Sequence, residues 1–253
     1  MRSHGIAITA IALLATSLAQ PADFRRAQRF YQDGLQAMNA GELEKAEELF
    51  LKARAAHPAM PEPEVMLGQV AMARNLFDEA EAAFVRAIEL FRELKSNLER
   101  ETARDEQDAR DNLANLESDL EVTVNRPGRR GQNESETMRR ESQKTRAEAQ
   151  IEKAPDASEA VTIPADVYMY LGNARMKGGK LEPAIEAFRE AVARAPDAAE
   201  PHHYLAVALA QSQKLEEALE MCRKAEGMGY APSTELREQI EQFLAGDRKR
   251  NTP

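Results

Sequence analysis

The feature that most limits the fold of this chain is an internal repeat with a period of 34 residues. The segment GELEKAEELFLKARAAHP at 41–58 recurs in altered form at 75–90, and two related segments begin at 179 and 213. Within each pair, small and aromatic residues return at the same places. A fixed period of this length is typical of stacked two-helix units, because one such unit cannot bury its own apolar face.

Each copy has apolar residues three and four positions apart, which predicts two amphipathic helices of about a dozen residues. Gly41 and Gly179 stand where the chain must reverse between those helices, and glycine adopts such a turn without strain. Pro58 and Pro196 predict the ends of the second helices, because proline lacks a backbone donor. With no Trp and only 5% aromatic residues, the composition also favours an all-α fold.

The copies resemble the tetratricopeptide repeat, in which a large residue, Leu-Gly, a small residue, an aromatic, a small residue and Pro recur at fixed spacing. Departures are Asp33 in the first copy, Glu64 in the second and Cys222 in the fourth. The resemblance implies an α-solenoid of helical hairpins that binds another protein or peptide, and the absence of catalytic motifs argues against an enzyme. The third copy carries the pattern most completely, with Tyr168, Leu171, Gly172, Gly179, Ala184, Phe188, Ala191 and Pro196.

The four copies fall into two pairs, at 27–94 and 165–232, with 70 residues between them. The first part of that interval, 95–124, predicts a helical extension whose apolar face could cover the exposed end of the second copy. The second part, 125–160, is polar and charged, contains Gly and Pro, and predicts a largely disordered linker. Decayed repeats are the alternative for the interval. Two small modules on a charged tether are favoured over one continuous superhelix.

A last amphipathic helix is predicted at 233–245, with Ser233 as its N-cap and Gly246 just after it. Its apolar residues lie on one side, so it would cap the end of the repeats. These residues are Leu236, Ile240, Phe243 and Leu244.

Residues 1–19 predict a secretory signal peptide. Arg2 is followed by an unbroken run of small and apolar residues at 6–14, and cleavage is expected between Ala19 and Gln20. The run is too short to span a bilayer comfortably, and no Cys follows it for lipid attachment. A periplasmic or secreted location without a permanent membrane span is therefore expected.

The sequence predicts no catalytic, metal or cofactor site. Cys222 is the only cysteine, and a single Cys at a helical apolar position usually packs in a core. His202 and His203 are adjacent and would point about 100° apart on a helix. A net charge of −9, without a dominant basic stripe, argues against nucleic-acid binding.

In the resembled family the first helices of successive repeats line a concave groove that holds peptides or helices. Some members grip a C-terminal carboxylate with Lys, Arg and Asn, and only Asn173 matches that set here. Methionines at one equivalent position suit an adaptable apolar surface. The alternative is that this stripe packs within the protein, against the helix near Leu113 or the other pair. Carrying the inward positions over gives Tyr31, Leu35, Met38, Val65, Gln69, Met72, Met169, Asn173, Met176, His203 and Val207.

The function expected from these features is that of an interaction scaffold or adaptor in an exported or cell-envelope assembly. It would bind an apolar or amphipathic protein segment. A structural protein that self-associates through its repeats and an accessory subunit of an exported enzyme are the alternatives, because one fold serves many purposes.

Overall fold

The computed structural model describes residues 22–125, 130–152 and 161–250. In these ranges all regular secondary structure is helical, which confirms the all-α prediction. The helices are α1 (Ala22–Asn39), α2 (Leu43–Ala56), α3 (Glu62–Ala73), α4 (Phe77–Asn125), α5 (Arg130–Glu152), α6 (Ala165–Lys177), α7 (Leu181–Arg194), α8 (Ala199–Gln211), α9 (Leu215–Gly227) and α10 (Ala231–Arg250).

Four helical hairpins follow the predicted repeats: α1 with α2, α3 with the start of α4, α6 with α7, and α8 with α9. Gly41 and Gly179 both adopt a φ of 79° in the turns, as predicted, whereas Asn75 and Gln213 take φ values of 60° and 63° at the equivalent places. In all four turns the following residue donates its backbone N–H to a carbonyl five residues back, at 2.8 to 2.9 Å. This bond satisfies a free carbonyl at the helix end and fixes the reversal.

The four repeats belong to one compact unit, which contains the described residues up to Phe91 and from Ile163 onward. Repeat 3 packs directly on repeat 2: the Phe84 ring stacks on Tyr170 with centroids 5.7 Å apart. The Arg175 side chain also donates to Glu81 at 2.7 Å. The prediction of two separate modules on a tether was therefore wrong. Both repeats expose an apolar face that needs cover, and the entropic cost of closing a long insertion grows only slowly with its length.

The described residues of the insertion, which runs from Arg92 to Thr162, belong to the second unit. The expected helical extension at 95–124 is present, but it is the later part of α4 rather than a separate helix. Its Leu113 and Leu116 are partly buried. Within the repeat unit, the end of repeat 2 is covered by repeat 3 instead.

The structure places a helix, α5, inside the segment that was predicted to be disordered. Asp119 pairs with Arg140 at 2.8 Å and Glu117 with Lys144 at 2.7 Å, so the later part of α4 and α5 run antiparallel. These ion pairs between α4 and α5, together with residues that favour helix, stabilise α5 although it has few apolar residues to bury. Disorder was thus the wrong prediction for 130–152; residues 126–129 and 153–160 lie outside the described ranges.

The C-terminal helix α10 is longer than the predicted 233–245 and begins before Ser233. Ser233 is fully buried and bonds to a side chain of α8, so it is not the N-cap. Leu236, Ile240 and Leu244 pack against the core of repeats 3 and 4, as expected of a cap. Phe243 is 52% exposed and does not share that contact.

The predicted signal peptide, 1–19, and its cleavage point between Ala19 and Gln20 lie outside the described residues. None of the helices that the structure describes combines the length and apolar character needed to cross a membrane.

Candidate functional site

In repeats 1 to 3, a glycine against a phenylalanine ring fixes how the first helix lies on the second helix. A Cβ atom built on Gly68 or Gly172 would stand 2.5 or 2.6 Å from the ring of Phe84 or Phe188, and the two rings are fully buried. The Gly34 and Phe50 pair of repeat 1 has the same geometry. This close approach fixes the rotation of α1, α3 and α6 about their own axes, and so which side chains point to either side of the contact.

Repeat 4 reaches the same packing with other residues. Ala206 stands in the glycine position and Cys222 in the phenylalanine position, and both are fully buried. Burial raises the pKa of the Cys222 thiol to about 11. The thiol is therefore protonated at neutral pH and serves as a small core group, as expected from the sequence.

The eleven predicted groove residues lie at equivalent positions on one side of the first helices, here called the groove face, and none of them is fully exposed. Tyr31, Val65 and Met169 are buried, and the Tyr31 ring packs on Phe50 of its own repeat, with centroids 5.9 Å apart. The other eight are partly buried: Leu35, Met38, Gln69, Met72, Asn173, Met176, His203 and Val207.

Gln69 and Met176 show how the face is shared between repeats. Gln69 hydrogen-bonds the Tyr170 phenol, across the junction of repeats 2 and 3. Met176 packs at the edge of the core of repeats 3 and 4. These two side chains are thus partly used to join neighbouring repeats.

His203 contacts the chain's own C-terminal helix and the turn before it. Its Nδ1 lies 3.0 Å from the Ser233 hydroxyl, and its ring packs at 5.1 Å from that of Tyr230. Burial lowers the pKa of His203, while the charge of Glu200 acts in the opposite direction. His203 therefore contacts α10, and Val207 is the other partly buried stripe residue of repeat 4.

In three of the four repeats an acidic residue lies near the start of the first helix, on the side that carries the predicted groove residues. This row of acidic residues was not predicted from the sequence. Glu62, Asp166 and Glu200 each precede a predicted groove residue by three positions, so they lie on its side of the helix. Burial raises the pKa of Tyr170 most, and the charges of Asp166 and Glu200 raise it further. The signal was available, because Asp166 and Glu200 are 34 residues apart.

A second acidic feature lies among α2, α3 and α4. Glu64, where the family has a large residue, is 1% exposed and accepts a hydrogen bond from Arg86 Nε at 3.0 Å. Arg54 Nη1 stands 3.6 Å from the same oxygen. The three side chains line a cleft of about 310 Å³. Paired in this way, Glu64 links the second helices of repeats 1 and 2.

Comparison with known proteins agrees with this architecture. The MamA protein crystal structure is similar with a TM-score of 0.51 at 13% sequence identity, over 87% of this chain and 88% of MamA. The pilF protein of Pseudomonas aeruginosa gives 0.36 at 15% identity, over 90% of this chain and 88% of that chain. A thermophilic TPR protein of Thermus thermophilus gives 0.33 at 20%, over 87% and 99%. The likeness to MamA concerns the fold alone.

No curated protein sequence matches the chain. The tetratricopeptide-repeat family, however, matches residues 31–95 and 170–231, together half of the sequence. Those two ranges fall on the two pairs of helical hairpins that the structure stacks into one unit. The chain therefore belongs to the tetratricopeptide-repeat family.

Proposed function

We propose that this protein is an exported interaction scaffold whose groove binds an apolar or amphipathic segment of another protein. The observation that carries the proposal is the partly buried apolar stripe of Leu35, Met38, Met72 and Met176 along α1, α3 and α6. Binding between proteins is the usual role of this family's fold. Unbranched Met side chains adapt to differently shaped apolar partners, and helical or extended segments dock in such grooves through a few apolar anchors.

The charges beside the stripe argue against recognition of a free C-terminal carboxylate. None of the eleven predicted groove residues is Lys or Arg, and Arg175 of α6 is bonded to Glu81. A carboxylate would need cationic donors there. An internal segment of the partner, rather than its C-terminus, is thus the better ligand.

The groove is tested with the double variant Met38→Glu and Met72→Glu. Proteins recovered on the immobilised full chain are quantified by mass spectrometry against wild type. Met228→Glu, at a residue that is 41% exposed beyond the end of α9, is the matched control. We expect the specific partners to be lost with the groove variant and retained with the control. Equal recovery by both variants, at unchanged circular dichroism, contradicts the proposal.

Export rests on residues 1–19 and is tested separately. We expect the native host to deliver a chain that begins at Gln20 to the periplasm or the medium, which cell fractionation and N-terminal sequencing can measure. The double variant Leu13→Arg with Leu14→Arg interrupts the apolar run, so the uncleaved chain should stay in the cytoplasm. Light scattering of the exported form then separates an adaptor from a self-associating protein, whose mass would grow with concentration.

A further inference from the structure

At the start of α3, on the groove face, a buried carboxyl group has an oxygen without a hydrogen-bond partner among the described residues. Glu62, the first residue of α3, is 8% exposed. Its own backbone N–H forms one hydrogen bond with the carboxyl group. Among the residues that the structure describes, Oε2 has no hydrogen-bond partner. A buried polar atom left in this way costs about 1–3 kcal/mol, so it indicates that a donor is missing.

Glu64, two residues later on the same helix, shows what a completed pair looks like. That carboxylate is more deeply buried, at 1% exposed, but is bonded by Arg86, with Arg54 close by. The two side chains lie on different sides of α3, since successive residues of a helix are turned by about 100°. The protein therefore supplies the cation for one carboxylate and not for the other.

Glu62 lies on the face that carries the groove residues. It precedes Val65, Gln69 and Met72 by three, seven and ten positions, a spacing that keeps one side of a helix. It also lies close to the buried phenol of Tyr31. Burial raises the pKa of that phenol most, and the charge of Glu62 raises it further. The unfilled oxygen is thus next to the junction of repeats 1 and 2 on the groove side.

The acidic residues at this position of the first helices favour a cationic ligand. Asp166 and Glu200 repeat the acidic residue on α6 and α8. The groove face of α3 has no Lys or Arg of its own to compensate Glu62. Opposite charge from a ligand would satisfy the oxygen and complement the acidic row at once.

We propose that Glu62 receives a Lys or Arg side chain of the bound protein segment, with the apolar residues beside it on the Met-containing stripe. This inference rests on the proposed function and specifies its ligand. Because Oε2 lies below the surface, only a long side chain with an apolar stem and a charged tip can reach it. The pair would be a charge-assisted hydrogen bond in a partly desolvated site, where such bonds are strongest.

The probe is a phage-displayed library of random peptides, selected on the immobilised full-length chain. The best peptide is then made with a fluorescent label, and its Kd is measured by anisotropy. Measurements use wild type, Glu62→Gln, and Glu44→Gln, a control at an exposed residue in the first turn of α2. We expect selected peptides to contain Lys or Arg next to apolar residues. We expect Glu62→Gln to weaken binding about tenfold or more, and Glu44→Gln to leave it unchanged.

A matched peptide with its basic residue replaced by Gln completes a double-mutant cycle. If the pair forms, that peptide loses affinity for wild type but not further for Glu62→Gln. Unchanged affinity of Glu62→Gln overturns the inference. The proposed function still stands in that case if Met38→Glu with Met72→Glu abolishes binding. If that double variant also binds normally, or if no peptide is selected, the proposed function fails with the inference.

Discussion

Replacing Gly172 with Ala tests the packing that orients the groove helices. In an unobstructed helix, Gly to Ala stabilises by about 0.5–1 kcal/mol, because alanine loses less backbone freedom on folding. Here the new Cβ would meet three ring atoms of Phe188 at 2.6, 2.7 and 2.7 Å. Carbon atoms normally approach to about 3.5–4.0 Å, so the ring or the helix must move by nearly 1 Å.

The Phe188 ring is fully buried and cannot turn into solvent. Overpacking of this kind costs about 1–3 kcal/mol, which outweighs the gain in helix propensity. We therefore expect Gly172→Ala to lower the free energy of unfolding by about 1–2 kcal/mol, and the melting temperature by about 2–8 °C for a domain of this size.

Urea unfolding followed by circular dichroism measures the effect, with Gly227→Ala as the matched control. Gly227 is also helical, at the end of α9, and a Cβ there meets nothing within 4 Å. It should be neutral or stabilising. The background variant Phe188→Cys reproduces the combination that repeat 4 uses, and in it Gly172→Ala should become neutral or favourable. A stabilising Gly172→Ala in the wild-type background would refute the reasoning.

Glu81→Gln should cost about 2 kcal/mol, since it weakens the charged hydrogen bonds to Arg175 and Lys180 of repeat 3. Burial raises the Glu81 pKa, but these bonds outweigh it and lower that pKa. The stabilisation is therefore present above the unfolded pKa and disappears in strong acid; urea unfolding at several pH values measures it. Burial raises the Glu62 pKa, so stability falls as pH rises from the unfolded towards the folded value. Glu62→Gln should thus be more stable than wild type in urea at pH 7, with the difference shrinking in acid. Iodoacetamide at pH 8, followed by mass spectrometry, should modify buried Cys222 only after urea unfolding; modification of the folded chain would contradict its placement.

The helical hairpins could be predicted from the sequence because the forces that set them are local. Apolar spacing is visible in any one copy, and the reversing glycines Gly41 and Gly179 mark the turns of repeats 1 and 3. Gln213 shows the limit of that approach, since Gln is not expected at a positive φ. It is held there because the Lys214 N–H reaches the Leu209 carbonyl at 2.9 Å. The hydrogen-bonded turn of the repeat thus outweighs the preference of Gln213 for a negative φ.

The stacking of the second repeat on the third could not be predicted in the same way. Glu81 and Arg175 are 94 residues apart in sequence, and nothing in the period of 34 states that they meet. The charged insertion was predicted as disorder because apolar residues are scarce there. Its helix α5 has opposite charges across from α4 instead, as Asp119 and Arg140 show. Counting apolar residues overlooks pairing of this kind.

The two carboxylates of α3 show why the site was only partly predicted. Glu64 departs from the family pattern, so it is the conspicuous residue, yet the structure pairs it within the protein. Glu62 is inconspicuous, because an acidic residue in the first turn is favoured in any helix by the positive end of its dipole. Burial makes Glu62 a candidate for ligand binding. A solvated carboxylate is satisfied by water, whereas this buried oxygen lacks a donor among the described residues. The family pattern specifies which residues hold the repeats together, and a residue it leaves free to vary is where a ligand preference specific to this chain can lie.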